Sequence, residues 1–321
     1  MEYRTIQYVD KPISKIVFGC ANSMMMTQPN LLKQRNVFGL LDAALAAGIN
    51  TFDSAENYGD SEIVLGKWIR KRKIRNQVVI ITKGCHPHGK PRVTPEGLKE
   101  DLEQSFERLQ TDYIDIYMLH RDHPDADIPA IIEVLNEYHK KGKIGAFGAS
   151  NWGHGRIAEA NAYAAEHDLI PFTVSSPNFG PAAQVEDPWG GGCVSISGLE
   201  NKDARKWYEE NAITVFAYSC LGRGMFSGKV KTTDLECGKA QLDKFAVKGY
   251  WCRENIERLG RMEEIAKKRN CSVAQISLAY IMQQKFEAFP IVTISDIHRI
   301  AENVQAVNIK LTEEEIMVIA E

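Results

Sequence analysis

Short apolar runs recur along the chain, each followed by a helix-like stretch: IVFG at 16–19, TFD at 51–53, VVIIT at 78–82, YIDIYMLH at 113–120 and IGAFGAS at 144–150. Three more, FTVSS at 172–176, ITVFAYS at 213–219 and FPIVTI at 289–294, bring the set to eight. Runs of this length without polar alternation suit strands buried on both faces of a parallel sheet. Between them the spacing turns helical. Leu31 to Ala47 ends at Gly48, Thr94-Pro95 opens a segment to Leu109, Ile128 to Lys140 ends at Gly142, and Glu254 to Arg269 follows the same pattern. Eight strands alternating with helices predict an α/β fold closed as a (β/α)8 TIM barrel. The stretches 178–198 and 221–251 break the rhythm after predicted strands, so they belong at the strand C-terminal face, where such barrels assemble their active sites.

The competing layout is an open doubly wound sheet, which places G-x-G-x-x-G directly after its first strand. Here Gly19 is followed by CANSMM, and Gly222, Gly224 and Gly228 come after a late strand with the wrong spacing. No linker, low-complexity segment or long charge run divides the 321 residues, so residues 1–321 are expected to form one barrel domain.

Composition narrows the partners. With 44% hydrophobic and 25% charged residues the chain has the means to build a core. A net charge of −3 gives no electrostatic reason to bind nucleic acid or an anionic membrane, which leaves a small molecule as the expected partner. The N-terminal segment lacks signal-peptide character, and no apolar run reaches the length of about 18 residues that a membrane span needs. The seven cysteines are scattered with no C-x-x-C pair, which fits reduced thiols in a cytoplasmic protein and gives no zinc pattern. Oligomeric state is left open by the sequence.

The informative chemistry is positional. Asp53, Lys83 and His120 stand at the ends of three different apolar runs, and Tyr58 follows Asp53 by five positions. On a barrel these side chains converge on the carboxyl rim. A phenol is a weak acid at neutral pH, with a pKa of about 10, so it needs a nearby cation to favour its phenolate. Lys83 supplies that charge, Asp53 is its counter-ion, and His120 donates to a substrate carbonyl oxygen. Taken singly, each has a blander reading: a helix cap, a surface aromatic, a solvated lysine, a core histidine. Together those readings require four coincidences in register.

His86 and His88, in CHPHG, raise a metal site as an alternative, but a loop bearing Pro and Gly reads better as solvent-facing or substrate-lining, and no metal is expected. Met24, Met25 and Met26 suit either a pliable pocket mouth or ordinary gap filling, and Trp152, Trp189 and Trp251 either shape a pocket or pack against the barrel helices.

Several ordered motifs together resemble the aldo-keto reductase superfamily over nearly the whole chain: GINTFDSAENYGDSEIVLGKWI at 48–69, VVIITKG at 78–84, YIDIYMLH at 113–120, GASNW at 148–152, FAYSCLGRGMFSGK at 216–229 and RIAENVQAV at 299–307. The resemblance implies a barrel that binds NADPH, with NADH as the alternative, and reduces a small carbonyl compound or oxidises the alcohol. Its tetrad would be Asp53, Tyr58, Lys83 and His120, with Tyr58 as general acid in reduction and general base in oxidation. It also implies that Ser150 and Asn151 bond the nicotinamide carboxamide and that Tyr218 stacks on the nicotinamide. Ser219, Leu221 and Gly222 would approach the pyrophosphate, while Arg299, Glu302 and Asn303 would lie near the adenosine end. The chain departs from the family pattern at Ser176, commonly Gln, and at Cys220, usually Pro. It departs again before the last cofactor helix, where Thr293, Ser295 and Asp296 stand; Ser176 and Ser295 stay in the expected cofactor set. Arg299 favours a 2′-phosphate, whereas Asp296 would suit a free ribose hydroxyl. A cofactor-binding accessory subunit with slow turnover is the alternative reading from a different class.

Overall fold

The computed structural model describes residues 1–27 and 31–321. Eight parallel strands form the sheet: β1 (Val17–Gly19), β2 (Thr51–Asp53), β3 (Val79–Gly84), β4 (Ile114–Leu119), β5 (Ile144–Ser150), β6 (Val174–Ser176), β7 (Thr214–Ala217) and β8 (Ala288–Val292). They close into a barrel in the order β8-β1-β2-β3-β4-β5-β6-β7. Every residue of all eight strands is buried, which is why the runs carry no polar alternation. A short antiparallel pair, Tyr3–Arg4 with Ile13–Ser14, precedes the barrel.

The strand limits differ from the apolar runs in instructive ways. β3 extends past the predicted Thr82 because Lys83 and Gly84 stay in the ladder opposite Met118 and Leu119. β7 stops at Ala217, short of the predicted Ser219, whose φ of 52° turns the chain out of the sheet. The helix Pro95–Leu109 starts as its sequence indicates: the Thr94 hydroxyl accepts the Gly97 N–H at 3.1 Å and Pro95 occupies the first turn. The helix Ile128–Lys140 is capped in the same way by Asp127, which accepts from Ala130 N–H at 3.2 Å.

The stretch 221–251 is more regular than expected. It contains the short helices Leu235–Ala240 and Lys244–Tyr250, started by Asp234 and Asp243, whose carboxylates accept from Cys237 and Ala246 N–H at 3.2 and 2.7 Å. Helices of six and seven residues are too short to register as an apolar stripe, and only their caps betray them. The stretch 178–198 is irregular, as its composition predicts.

The chain divides into two compact units, Met1–Ser175 with Thr293–Ile300, and Ser176–Val292 with Ala301–Glu321. Within the first unit, β5 depends on a glycine: a Cβ on Gly148 would lie 1.8 Å from the Val174 carbonyl oxygen. Gly148→Ala is therefore expected to cost about 1–3 kcal/mol or more through backbone displacement, read as a lower urea midpoint. An unchanged midpoint would contradict this close approach.

Candidate active site

Three strand ends and one loop of the first unit build the site. β2 ends in Asp53, β3 carries Lys83 one residue before its end, and His120 directly follows β4, with its N–H donating to the Gly84 carbonyl at 2.7 Å. The loop after β2 is pinned to β3, since Ser54 N–H donates to Ile81 and Glu56 N–H to Lys83, both at 2.8 Å. A turn closed from Tyr58 N–H to the Ala55 carbonyl, at 3.1 Å, then returns the phenol over Lys83. The ammonium lies 5.1 Å from the centre of the Tyr58 ring.

Lys83 is 2% exposed and Asp53 3%, so their charges exist there only because they satisfy each other. The Lys83 Nζ donates to Asp53 Oδ1 at 2.6 Å and to the Ser54 carbonyl at 2.8 Å. An ammonium has three protons; these bonds place two of them, and the Tyr58 ring lies beside the charge. Burial works against its charge, but Asp53 and Tyr58 outweigh burial and hold the amine above its ordinary range. The Ser54 carbonyl is a ligand that side-chain patterns cannot reveal.

The phenol behaves differently from the sequence expectation. Burial raises the Tyr58 pKa above the ordinary 10, and the pull of Lys83 in the other direction does not overcome it. Tyr58 is thus a protonated phenol in the ligand-free protein. His120 is pushed far below the ordinary imidazole range, first by burial and then by the positive charge of Lys83, so its ring is neutral. The Tyr58 and His120 rings meet edge to face at 5.4 Å.

Of the residues expected at the nicotinamide, Ser150 ends β5 and Asn151 follows with φ 59°, both buried. The Asn151 amide donates to the His120 carbonyl at 3.2 Å and to the Ser150 hydroxyl at 3.0 Å, which joins this pair to the tetrad. Also in the first unit, Ser295 and Arg299 are exposed at the start of the helix Ile297–Gln305. Asp296 has a structural task there: its carboxylate accepts the His298 N–H at 3.0 Å.

The second unit holds the other residues expected at a cofactor. Ser176 is buried at the end of β6, while Tyr218, Ser219 and Leu221 remain partly exposed after β7. The Trp189 ring meets Tyr218 edge to face at 6.3 Å. Gly222 is glycine for two reasons, a φ of 55° and the Ala182 side chain 3.0 Å from where a Cβ would be. Cys220, the residue in place of the family's proline, donates its thiol to the Ile291 carbonyl at 3.1 Å, and burial pushes it up to about 12. Glu302 is partly exposed and Asn303 buried.

Two of the other sequence candidates take the blander reading. Trp152 is fully buried, with its indole N–H on the Arg121 carbonyl at 3.0 Å, and Met25 is a core residue. Trp189 is the exposed member of the tryptophan set, at 43%. The His88 ring nitrogen pairs with Glu56 at 2.9 Å, while His86 turns toward His120, ring to ring at 5.1 Å. No residue pattern marked His86 for that place.

A barrel whose rim carries a buried Asp–Lys pair beneath a phenol and a neutral imidazole is an arrangement for moving a proton at a carbonyl oxygen. The family model described as "Aldo/keto reductase family" matches residues 15–321, and the chain belongs to that family and is an oxidoreductase. The family typically uses NADP(H) and acts on small carbonyl compounds. The chain is 34% identical over 284 residues to "Aldo-keto reductase str7" of Strobilurus tenacellus, covering 87% of this chain and 78% of that one. It is 26% identical over 290 residues to "Aryl-alcohol dehydrogenase GME11368" of Pestalotiopsis microspora, covering 87% and 70%. The crystal structure of a thermostable aldo-keto reductase, Tm1743, in complex with the inhibitor epalrestat superposes with a TM-score of 0.74 over 100% of this chain and 99% of that one. At 22% identity, that likeness speaks for the fold. Among the described residues no helix is long and apolar enough to cross a membrane.

Proposed function

We propose that the protein reduces an aldehyde or ketone, or oxidises the corresponding alcohol, with Tyr58 as general acid in reduction and general base in oxidation. The observation that carries this is the buried ammonium of Lys83, held by Asp53 and the Ser54 carbonyl 5.1 Å from the centre of the Tyr58 ring. The ammonium beside the phenol repels the phenol's own proton, which leaves that proton to point at a substrate oxygen. Burial keeps that proton in place until negative charge grows on the carbonyl oxygen, and an alkoxide is a far stronger base than a phenolate. As the proton leaves, Lys83 already faces the phenolate and needs no rearrangement to stabilise it. Asp53 keeps the ammonium charged and aimed. Neutral His120 donates a second hydrogen bond to the carbonyl oxygen without adding a charge.

A nicotinamide cofactor supplies the hydride when bound. The donor set suits one: hydroxyl and amide groups at Ser150 and Asn151 for a carboxamide, and the Tyr218 ring for stacking on the nicotinamide. The turn of Ser219, Leu221 and Gly222 offers backbone for a pyrophosphate, with Ser176, Ser295, Arg299, Glu302 and Asn303 completing the set. We favour NADPH over NADH because the positive charge of Arg299, on the exposed start of the helix Ile297–Gln305, suits a 2′-phosphate. Fluorescence titration with both nucleotides is expected to show tighter NADPH binding. Arg299→Ala is expected to weaken NADPH about tenfold and leave NADH unchanged, the size of one charge-assisted contact. Equal affinities in the native protein would overturn the preference.

The name of the relative from Pestalotiopsis microspora favours aromatic carbonyl compounds as substrates, and 4-nitrobenzaldehyde is a suitable probe. The chain is proposed to act as one barrel domain in the cytoplasm, a compartment supported by seven cysteines that stand as free thiols.

A further inference from the structure

A working imidazole is usually held by a hydrogen bond on the nitrogen that does not face the substrate. His120 lacks that hold: its Nδ1 is buried and has no hydrogen-bond partner among the described residues. Two rings flank it instead. Tyr58 meets it at 5.4 Å with planes 80° apart, and His86 at 5.1 Å with planes 78° apart. Edge-to-face contacts of this kind are directional and favourable in their own right.

His86 is itself firmly seated. Its Nδ1 donates to the Pro87 carbonyl at 3.2 Å, since a carbonyl only accepts. The proline restricts His86 to an extended backbone, and Cys85 before it takes a left-handed turn with φ 61°. That strained turn is fixed by the Cys85 N–H donating to Asp101 Oδ2 at 2.6 Å, with Arg92 bonded to the other oxygen of the same carboxylate. The chain Arg92–Asp101–Cys85 therefore sets where the His86 ring points.

We propose that His86 is a positioning residue for His120, its ring taking the place of the missing hydrogen bond and fixing the imidazole's rotamer. This inference rests on the role assigned to His120 above. His86 suits the task in its neutral form, which burial favours by lowering its pKa, helped by the charge of Arg121 and by His88, with the bond to the Pro87 carbonyl and Glu56 acting the other way. A neutral ring presses on His120 without opposing the hydrogen bond that His120 gives.

The test uses the full-length protein and two variants, His86→Ala, which removes the ring, and His86→Phe, which keeps a ring edge and removes the nitrogens. In nucleotide-free protein, three-bond carbon–nitrogen couplings of His120 report its side-chain rotamer. A single-rotamer value is expected for the native protein and His86→Phe, and an averaged value for His86→Ala. With NADPH and 4-nitrobenzaldehyde, His86→Ala should lower kcat about tenfold at unchanged NADPH affinity, and His86→Phe should restore it to within about threefold, the scale expected for a misplaced catalytic group. In a His120→Ala background, His86→Ala should add no further loss. An unaveraged coupling in His86→Ala, a loss in His86→Phe as large as in His86→Ala, or independent losses in the double variant would each overturn the proposal. Native turnover in His120→Ala would instead sink the role of His120, and the couplings would still decide whether His86 holds the ring.

Discussion

Tyr58→Phe is expected to lower kcat by about 10²–10⁴-fold, the usual contribution of a positioned general acid, while NADPH affinity stays within about twofold. The phenyl ring preserves the contact with the Lys83 ammonium and the edge-to-face contact with His120, so packing is spared and one proton is lost. The loss should fall on kcat and kcat/KM alike, because the proton moves only in the transition state. Steady-state kinetics with 4-nitrobenzaldehyde measure it. Turnover within a few-fold of native would mean that another group protonates the product, and the assignment of Tyr58 would be abandoned.

Lys83→Met is expected to have the second large effect, on stability and turnover together. It leaves Asp53, 3% exposed, as a buried carboxylate with no counter-ion. Removing one partner of a buried pair costs about 3–5 kcal/mol, and thermal or urea unfolding should show a loss of that size. The sign with pH follows from Asp53. Burial already raises its pKa, and without Lys83, the main influence lowering it, the rise is larger. A carboxyl raised in the folded state binds its proton more tightly there, so the stability it contributes is greatest at acid pH and is lost as pH rises through the folded value. The variant should therefore lose less relative to the native protein at pH 5.5 than at pH 7.5. Adding Asp53→Asn should recover part of the stability and none of the turnover. A Lys83→Met protein with native stability at neutral pH would contradict the buried pair.

How much of this was written in the sequence depends on the kind of interaction. The barrel strands were legible because burial on both faces leaves an unmistakable apolar run, and β2 and β5 begin and end at the residues their patterns indicate. That Asp53, Lys83 and His120 come together was legible as well, since they interrupt those runs at their ends. The helices Leu235–Ala240 and Lys244–Tyr250 were not, because so few turns leave no periodic stripe. The acidity of Tyr58 went the other way from the sequence expectation: a motif names the neighbouring cation but says nothing of how much solvent the fold removes, and here solvent removal is the larger influence. Asp296, which suits a ribose hydroxyl by its sequence, also accepts a backbone N–H at a helix start, a task that depends on where one helix begins. His86 and the Ser54 carbonyl were hidden for a related reason, since one depends on the direction of a strained loop and the other is backbone.

The buried ammonium of Lys83 has a further consequence for a site proposed to receive aldehydes. A free amine beside an electrophilic carbonyl condenses with it to an imine, and an enzyme so equipped would be derivatised by its own substrates. Here Asp53 and the Ser54 carbonyl hold two of the N–H bonds, and Asp53 and Tyr58 favour the protonated amine, whose nitrogen has no lone pair to give. The lysine nearest the proposed chemistry is thereby protected from adduct formation, and the protein should tolerate reactive aldehydes that would cripple a site carrying a neutral amine.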